Sequence, residues 1–299
     1  MEQSSKKFRL AGLTVEALAI MALSASILAS CSLLPQATPK ALNQSTQGTI
    51  TAQKQLTWIP VKPGLDFSNI EIRNTENPDT STLNLQLVKI DPSEYSFSIY
   101  QNKSEKDALS IREILQKEKA ILAFNGQFFT EDFNPTGLLI DHNFNNKKLS
   151  HASIMEGIFT IDRNNHPQLF TTSQLEERTN NPGTSKITFA IQNGPVLLAP
   201  DGQIQIEKDS GQKASRTAIG ISSDNHIILI FIKQSLLNNQ NSISLYRFAH
   251  LLKENVEIAK LGLHSVLNLD GGPSTGFMLE QDYYPEFEKV QNVVVVKPK

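Results

Sequence analysis

The chain has 299 residues, a length that suits one large domain or two small ones. Hydrophobic residues make up 39% of it and charged residues 19%, so an ordinary globular core is expected. The formal net charge is −2, so composition gives no reason to expect a nucleic-acid partner.

The N-terminus has the pattern of an export signal rather than of a folded domain. Basic residues between positions 6 and 9 precede an apolar stretch at residues 10–29, which Glu16 interrupts. The sequence L-A-S-C at residues 28–31 then ends in Cys31, the one cysteine of the chain. This resembles the lipobox of bacterial lipoproteins, in which the signal is removed and the cysteine is lipidated. The alternative is an uncleaved membrane anchor with the cysteine there by chance.

The resemblance implies a protein that is lipid-anchored in the cell envelope. Residues 1–30 would be the lipoprotein signal peptide, residues 31–55 a flexible tether rich in Gln, Thr, Ser and Pro, and residues 56–299 the folded domain. With Cys31 used for lipid, the domain has no thiol, which excludes disulfides, thiolate metal ligands and cysteine nucleophiles. Ser32 rather than Asp after the cysteine favours the periplasmic side of the outer membrane if the source is Gram-negative.

The first half of the domain is predicted to contain strands and one short helix. Alternating apolar residues predict strands at residues 83–87 and 95–100, joined as a hairpin by a turn at residues 91–93. A capping box at residues 110–113 opens a helix. A buried strand at residues 120–124 follows. The helix is expected to bury Ile111, Ile114 and Leu115.

The second half of the domain is predicted to contain mostly strands and one longer helix. That helix spans residues 244–261, with Gly262 as its stop. Its buried face would hold Leu245, Phe248, Ala249, Leu252, Val256 and Ala259. The strands are predicted at residues 157–162, 187–191, 195–198, 203–206, 216–221, 227–233, 265–269 and 293–296. The class is therefore α+β: a mixed, largely antiparallel sheet with flanking helices, in a single catalytic domain.

Ser274 lies in a G-x-S-x-G pattern, which is typical of the nucleophile elbow of serine hydrolases. An elbow needs a helix directly after the serine, whereas residues 276–279 predict a strand. A histidine should also follow later in the chain, yet the last one is His264. The context therefore argues against a serine nucleophile.

The neighbouring Asp270 is the stronger candidate. It ends a predicted buried strand, and Gly271 and Gly272 after it would let a ligand approach the backbone amides closely. Ser274 and Thr275 add hydroxyl groups. Such a set suits a carboxylate that faces a phosphate or a sugar. A tight turn capped by the aspartate explains this motif alone equally well.

Three further segments place polar residues and glycines at predicted strand ends. They are F-N-G-Q-F-F at residues 124–129, Q-N-G-P-V-L-L at 192–198 and R-T-A-I-G at 216–220. Each segment alone can be explained without a functional site, because Asn-Gly favours turns and a lone arginine is usually a surface cation. Together with L-N-L-D-G-G-P-S-T-G-F at residues 267–277, they place polar residues and glycines at the ends of four predicted strands. Binding and catalytic sites are commonly built in this way at the rim of a sheet.

These four motifs in this order resemble the bacterial phosphodiester glycosidase family, which is related to the lysosomal uncovering enzyme. The resemblance covers about residues 58–296. Where the uncovering enzyme runs D-G-G-G-S, this chain has Pro273, a departure that bears on the substrate more than on the class. The site residues implied by position are Asn125, Asn193, Gly194, Arg216, Asp270, Gly271, Gly272, Ser274 and Thr275.

The resemblance implies hydrolysis of a sugar-1-phosphodiester at its anomeric carbon. Arg216 would grip the phosphate, because a planar guanidinium can bind two oxygens at once. Asp270 would act as base for water or stabilise an oxocarbenium-like centre. Asn125 and Asn193 would orient sugar hydroxyls or water, and the amides of the two glycines would bind phosphate oxygen. Candidates for a second acid are Glu156, Asp132 and Asp141.

Two other functions remain open on the sequence. One is a non-catalytic envelope lipoprotein that binds glycan. The other is a metal-dependent phosphodiesterase, which would need histidines and carboxylates at ligand spacing. The six histidines are scattered, with no H-x-H or H-x-x-x-H pair. No cofactor is implied by a motif, and a carboxylate-bound divalent cation such as calcium stays open.

Overall fold

The computed structural model describes residues 50–52, 55–74, 82–141, 145–146, 148–179, 186–233, 242–280 and 282–299. The helices are α1 (Ile111–Glu118), α2 (Thr172–Thr179) and α3 (Leu245–Glu254). The strands in chain order are β1 (Ile50–Ala52), β2 (Ile59–Lys62), β3 (Leu65–Asn74), β4 (Leu83–Ile90), β5 (Tyr95–Gln101), β6 (Leu122–Asn125), β7 (Leu139–Ile140), β8 (Asn145–Asn146), β9 (Gly157–Asp162), β10 (Pro167–Thr171), β11 (Ile187–Asn193), β12 (Val196–Leu198), β13 (Arg216–Ser222), β14 (Ile227–Ile232), β15 (Leu263–Asn268), β16 (Phe277–Leu279), β17 (Asp282–Tyr284) and β18 (Asn292–Pro298).

The strands form three sheets. The first has the order β1-β3-β4-β14-β13-β15-β12, with β2 also paired to β3. The second runs β10-β9-β11-β7-β8, and the third runs β17-β16-β6-β18-β5. Every pairing among the described strands is antiparallel. The expected largely antiparallel sheet in a single domain is thus confirmed, although the helices are a smaller part than predicted.

All three sheets turn one face to a shared core. Phe231 of the first sheet, Phe189 of the second and Phe124 of the third belong to this one apolar cluster. The other face of each sheet packs against one helix: the first against α3, the second against α2 and the third against α1. This layering explains why so many strands are buried on both sides.

Strand β14 shows how the sequence encodes this arrangement. Its six residues, I-I-L-I-F-I, are all buried. Ile227, Leu229 and Phe231 face the shared core, and the alternate isoleucines face the cluster that contains α3. A continuous apolar run is expected wherever both faces of a strand are covered.

Several local predictions are confirmed. Helix α1 begins with a full capping box, in which the Ser110 hydroxyl accepts from the Glu113 amide and the Glu113 carboxylate accepts from the Ser110 amide. Ile111, Ile114 and Leu115 are buried as expected. Gly262 ends a short 3-10 turn in the left-handed conformation that glycine adopts readily.

The predicted hairpin between residues 83–87 and 95–100 is wrong. Both strands exist, but β4 pairs with β3 and β14, whereas β5 pairs with β18 in the third sheet. The turn itself forms, because the Asp91 carboxylate accepts from the Ser93 amide at 2.8 Å. Both edges of β4 are already taken, so the turn carries the chain from one sheet to another instead of folding it back.

The predicted helix over residues 244–261 is too long. Helix α3 ends at Glu254, because the side chain of Asn255 accepts from the amides of Glu257 and Ile258 and starts a new turn. Val256, expected on the buried face, is 69% exposed. The predicted strand at residues 203–206 is also wrong, since only a single bridge between Leu198 and Ile204 forms there.

The N-terminal predictions fall mostly outside the described residues. These include the signal peptide at residues 1–30 and the lipidation site Cys31. At the end of the predicted tether, Ile50–Ala52 already pairs with β3. In the part of the chain that the structure describes, no helix combines the length and the apolar character needed to cross a membrane.

Candidate active site

The predicted site residues gather where strands of the first and third sheets end side by side. Asn125, the last residue of β6, is fully buried. Its amide nitrogen donates to the Asp270 carbonyl at 2.7 Å. Its amide oxygen accepts from the Thr217 hydroxyl at 2.8 Å and from the Gly276 amide at 3.2 Å. Because both lone pairs are used, Asn125 joins three strand ends instead of presenting an oxygen to a ligand.

Asn193 makes a second clamp at the end of β11. Its side chain donates to the Asn268 carbonyl at 3.1 Å and accepts from the Phe128 amide at 3.2 Å. The following Gly194 is required by close packing, because a Cβ there would lie 2.2 Å from the Ile154 carbonyl oxygen. Both residues bring the second sheet against the end of β15.

The Asp270 loop is held close to β13. The Gly272 amide donates to the Ser215 carbonyl at 2.9 Å, and a Cβ on Gly271 would lie 2.8 Å from that same oxygen. Gly272 has a φ of +59°, which favours glycine. The Gly271 amide donates to the Asp270 carboxylate at 2.9 Å. Both glycine amides predicted to bind phosphate therefore have partners within the protein.

Asp270 has an unusual ionisation. Burial raises the pKa of its carboxyl from 3.8 to about 7, opposed by the neighbouring Ser274 hydroxyl and Gly271 amide and assisted by the negative charge of Glu288. The residue is 3% exposed. A carboxyl that gains and loses its proton near neutral pH is suited to act as a general acid or base.

A narrow cleft of about 20 Å³, roughly the space of one water molecule, lies against Asp270. Besides Asp270, it is lined by Ser274, Glu105, Phe129, Phe133, Glu288 and Lys289. The rings of Phe129 and Phe133 meet edge to face with centroids 5.2 Å apart. Phe133 adopts a φ of +61°, rare for an aromatic residue, and its amide donates to the Thr130 carbonyl. Backbone outliers of this kind cluster at functional sites.

Sequence reasoning missed most of this lining. Glu105, Phe133, Glu288 and Lys289 come from loops with no recognisable motif. Phe129 lies inside the F-N-G-Q-F-F segment but was not singled out. The only further signal was the spacing of Glu288 and Lys289 shortly before the last strand, which is too common to indicate a site.

Arg216 lies near the site but is turned away from the cleft. Its side chain is on the same face of β13 as Ala218, which packs on the α3 side, whereas Thr217 faces Asn125. The guanidinium donates to the carbonyls of Ile243 and Gln212, each at 3.0 Å. Burial lowers its pKa to about 10. The structure does not bring Arg216 into the lining of the Asp270 cleft, and its phosphate role stays a prediction.

The three candidates for a second acid also lie outside the cleft lining. Asp141 is buried and accepts from the Ile99 amide at 2.7 Å. Glu156 is exposed beside Gly194, where its carboxylate accepts from the Val196 amide at 3.4 Å. Asp132 is exposed on the loop after Phe129.

Ser274 lies in a 3-10 turn, Gly272–Ser274, that strand β16 follows. This is the strand expected from the sequence in place of an elbow helix. Thr275 is fully buried behind it. Within the described ranges, no group of three or more His, Cys, Asp or Glu side chains is placed to hold a metal ion, so no ligand set can be named there.

Comparisons with known proteins show the family and the fold of the chain. The model of the phosphodiester glycosidase (NAGPA) family matches residues 118–297. The catalytic domain of zebrafish N-acetylglucosamine-1-phosphodiester alpha-N-acetylglucosaminidase, auto-inhibited by its pro-peptide, is similar in structure, with a TM-score of 0.61 and 16% identity over 82% of this chain and 87% of that one. No curated protein sequence matches the chain.

Two bacterial structures are also similar. A hypothetical protein from Synechocystis has a TM-score of 0.53 and 14% identity, covering 84% of this chain and 68% of its own. An exported protein from Burkholderia pseudomallei has a TM-score of 0.52 and 14% identity, covering 76% of this chain and 77% of its own. At these identities the likeness shows a shared fold.

Proposed function

We propose that this chain, which belongs to the phosphodiester glycosidase family, hydrolyses a sugar-1-phosphodiester between its anomeric carbon and the phosphate oxygen. The observation that carries the proposal is the buried carboxyl of Asp270, which lines a cleft and has a pKa of about 7. With its pKa near neutrality, this carboxyl can accept a proton from water at neutral pH.

The leaving group makes one carboxylate base sufficient for proton transfer. A phosphate monoester departs as a stable anion, so it needs less protonation than the alcohol released in ordinary glycoside hydrolysis. Water attacks the anomeric carbon, its proton passes to Asp270, and the phosphate leaves with the bonding electron pair. The rings of Phe129 and Phe133 line the same cleft and place apolar surface beside Asp270.

The phosphate needs a cation, and the geometry favours Lys289. Its side chain lines the cleft with Asp270 and lies 3.8 Å from the Glu113 carboxylate on the surface. Such an exposed ion pair contributes little to stability, so a phosphate can replace it at small cost. Arg216 would have to leave the carbonyls of Ile243 and Gln212 to reach a ligand in the cleft.

The test is to find which bond breaks. A panel of sugar-1-phosphodiesters is incubated with the protein in ¹⁸O-labelled water, and the products are analysed by mass spectrometry. We expect ¹⁸O on the C1 hydroxyl of the sugar. Label on phosphate would assign the protein to the phosphodiesterases, and no turnover of any member of the panel would favour a glycan-binding protein. Loss of turnover in Asp270→Asn connects the activity to this cleft.

We also propose that the protein acts in the bacterial cell envelope, anchored through lipid on Cys31. The proposal depends on the L-A-S-C sequence at residues 28–31. Cys31→Ala should abolish incorporation of a labelled fatty acid and leave either uncleaved precursor or soluble product. Undiminished labelling of the variant would refute it.

A further inference from the structure

The loop between β17 and β18, residues 285–291, is fixed over the Asp270 turn. The amides of Phe287 and Glu288 both donate to the Pro273 carbonyl, at 2.7 and 3.3 Å. From the other side, the Ile111 amide at the start of α1 donates to the Glu286 carboxylate at 2.9 Å. Side chains on this loop are therefore held in a defined position relative to the turn that carries Asp270.

Glu288 is carried by this loop into the same cleft as Asp270. The charged groups that line the cleft around Asp270 are Glu105, Glu288 and Lys289. Burial is the main reason that the pKa of Asp270 is raised, and the negative charge of Glu288 raises it further. A like charge has this effect only when the two carboxyl groups are near each other. Glu288 is exposed on its outer side, where water can contact it.

We propose that Glu288 is the second carboxylate of the reaction, an inference that rests on the proposed function. In the step, the water oxygen bonds to C1 while the bond from C1 to the phosphate oxygen breaks. The bonding electrons leave with the phosphate monoester, and the water proton passes to Asp270. Positive charge builds up on C1 and the ring oxygen, and ionised Glu288 stabilises it without moving a proton.

The two carboxylates differ in environment, as is required if Asp270 accepts a proton and Glu288 stabilises positive charge. Asp270 is buried and exchanges a proton near neutral pH, whereas Glu288 lies at the exposed side of the cleft. Two carboxyl groups in different environments commonly hold different roles in one site. Lys289, next to Glu288, offers the positive charge that keeps the negatively charged substrate from being repelled.

The experiment compares Glu288→Gln with Glu280→Gln. Glu280 is an exposed residue in the turn after β16, and it pairs with Lys62 outside the cleft. In Glu288→Gln we expect kcat to fall on the order of a hundredfold with KM little changed, because the stabilised charge exists mainly in the transition state. The acidic limb of the kcat/KM profile should also move to lower pH, since Asp270 loses a negative neighbour. Glu280→Gln should change neither.

A second measurement is independent of activity. The ¹³C-labelled carboxyl of Asp270, identified by its absence in Asp270→Asn, should titrate at lower pH in Glu288→Gln than in the wild type or in Glu280→Gln. An unmoved titration, an unchanged kcat, or a loss confined to KM overturns the role of Glu288. Failure of the wild type to cleave any sugar-1-phosphodiester would refute the proposed function instead, and the titration would still decide whether the two carboxylates are paired.

Discussion

Replacing Asp270 by asparagine should stabilise the folded protein at alkaline pH while removing its activity. Asn has nearly the same shape, and its oxygen can keep the hydrogen bond that the Gly271 amide makes at 2.9 Å. What the substitution removes is a negative charge in a buried position. The rise of the Asp270 pKa from 3.8 to about 7 corresponds to about 4 kcal/mol of free energy of unfolding.

The sign follows from proton binding. The folded pKa lies above the unfolded one, so between pH 4 and 7 the folded state holds a proton that the unfolded state has lost. The contribution of this carboxyl to stability is therefore lost as pH rises through that window, and the loss is complete above pH 7. Asn does not titrate, but its amide hydrogens need acceptors, so we expect a gain of roughly 2–4 kcal/mol at pH 8.

The assay is urea unfolding of both proteins at several values between pH 4 and pH 9. The difference in free energy of unfolding should be small or unfavourable to Asp270→Asn at pH 4 and should grow in its favour up to about pH 7. Comparison at each pH cancels the titration of all other groups. Asp201→Asn, on an exposed turn, is the control and should follow the wild type throughout. Turnover of Asp270→Asn should fall by roughly a hundredfold or more.

If the free energies of unfolding of the wild type and Asp270→Asn changed in parallel with pH, the reasoning would be refuted. Such a result would mean that Asp270 titrates like an exposed aspartate, and the chief support for its role as a base at neutral pH would be gone.

Three further predictions concern the neighbours of Asp270. Arg216→Ala should lower the unfolding temperature, because it removes two hydrogen bonds to the backbone carbonyls of Ile243 and Gln212, whereas Lys289→Ala should raise KM at an unchanged unfolding temperature. The reverse result would return the phosphate role to Arg216. Ser274→Ala should retain activity and the wild type should resist fluorophosphonate probes, so stoichiometric labelling of Ser274 would identify a serine hydrolase. Gly194→Ala should destabilise the fold by about 1–3 kcal/mol, since its Cβ would lie 2.2 Å from the Ile154 carbonyl oxygen, and a thermal melt equal to that of the wild type would contradict this packing.

The sequence predicted well wherever a pattern reflects local physics. Residues 157–162 and 216–221 are rich in apolar side chains because the sheets bury them. The structure has strands at both places. The capping box at residues 110–113 depends only on four neighbouring residues, so its helix was found with its buried face.

Pairing between strands was harder to predict, because it depends on partners far along the chain. The turn at Asp91 was correct, yet it was taken for a hairpin although β4 is already flanked by β3 and β14. Similarly, Asn255 ends α3 through its own side-chain hydrogen bonds, although the apolar spacing continues past it.

The candidate site shows the same division. Asp270 and the two asparagine clamps were found because they lie in motifs at strand ends. The direction in which the Arg216 side chain points could not be predicted. The sequence does not say which face of β13 is turned to α3 and which to the cleft. Glu288 and Lys289 reach the cleft only through the anchoring of their loop to Pro273, which no local pattern encodes.

The position of β18 makes the candidate site depend on a strand far along the chain from Asn125. This last strand lies between β6 and β5, not at an edge of the third sheet. Asn292 at its start also holds the segment after Asn125: its carbonyl accepts from the Gly126 amide and its side chain accepts from the Gln127 amide at 2.7 Å. Without β18, β5 and β6 have no strand to join them, and the segment after Asn125 loses both of these contacts. The candidate site can therefore form only once β18 has inserted into the third sheet.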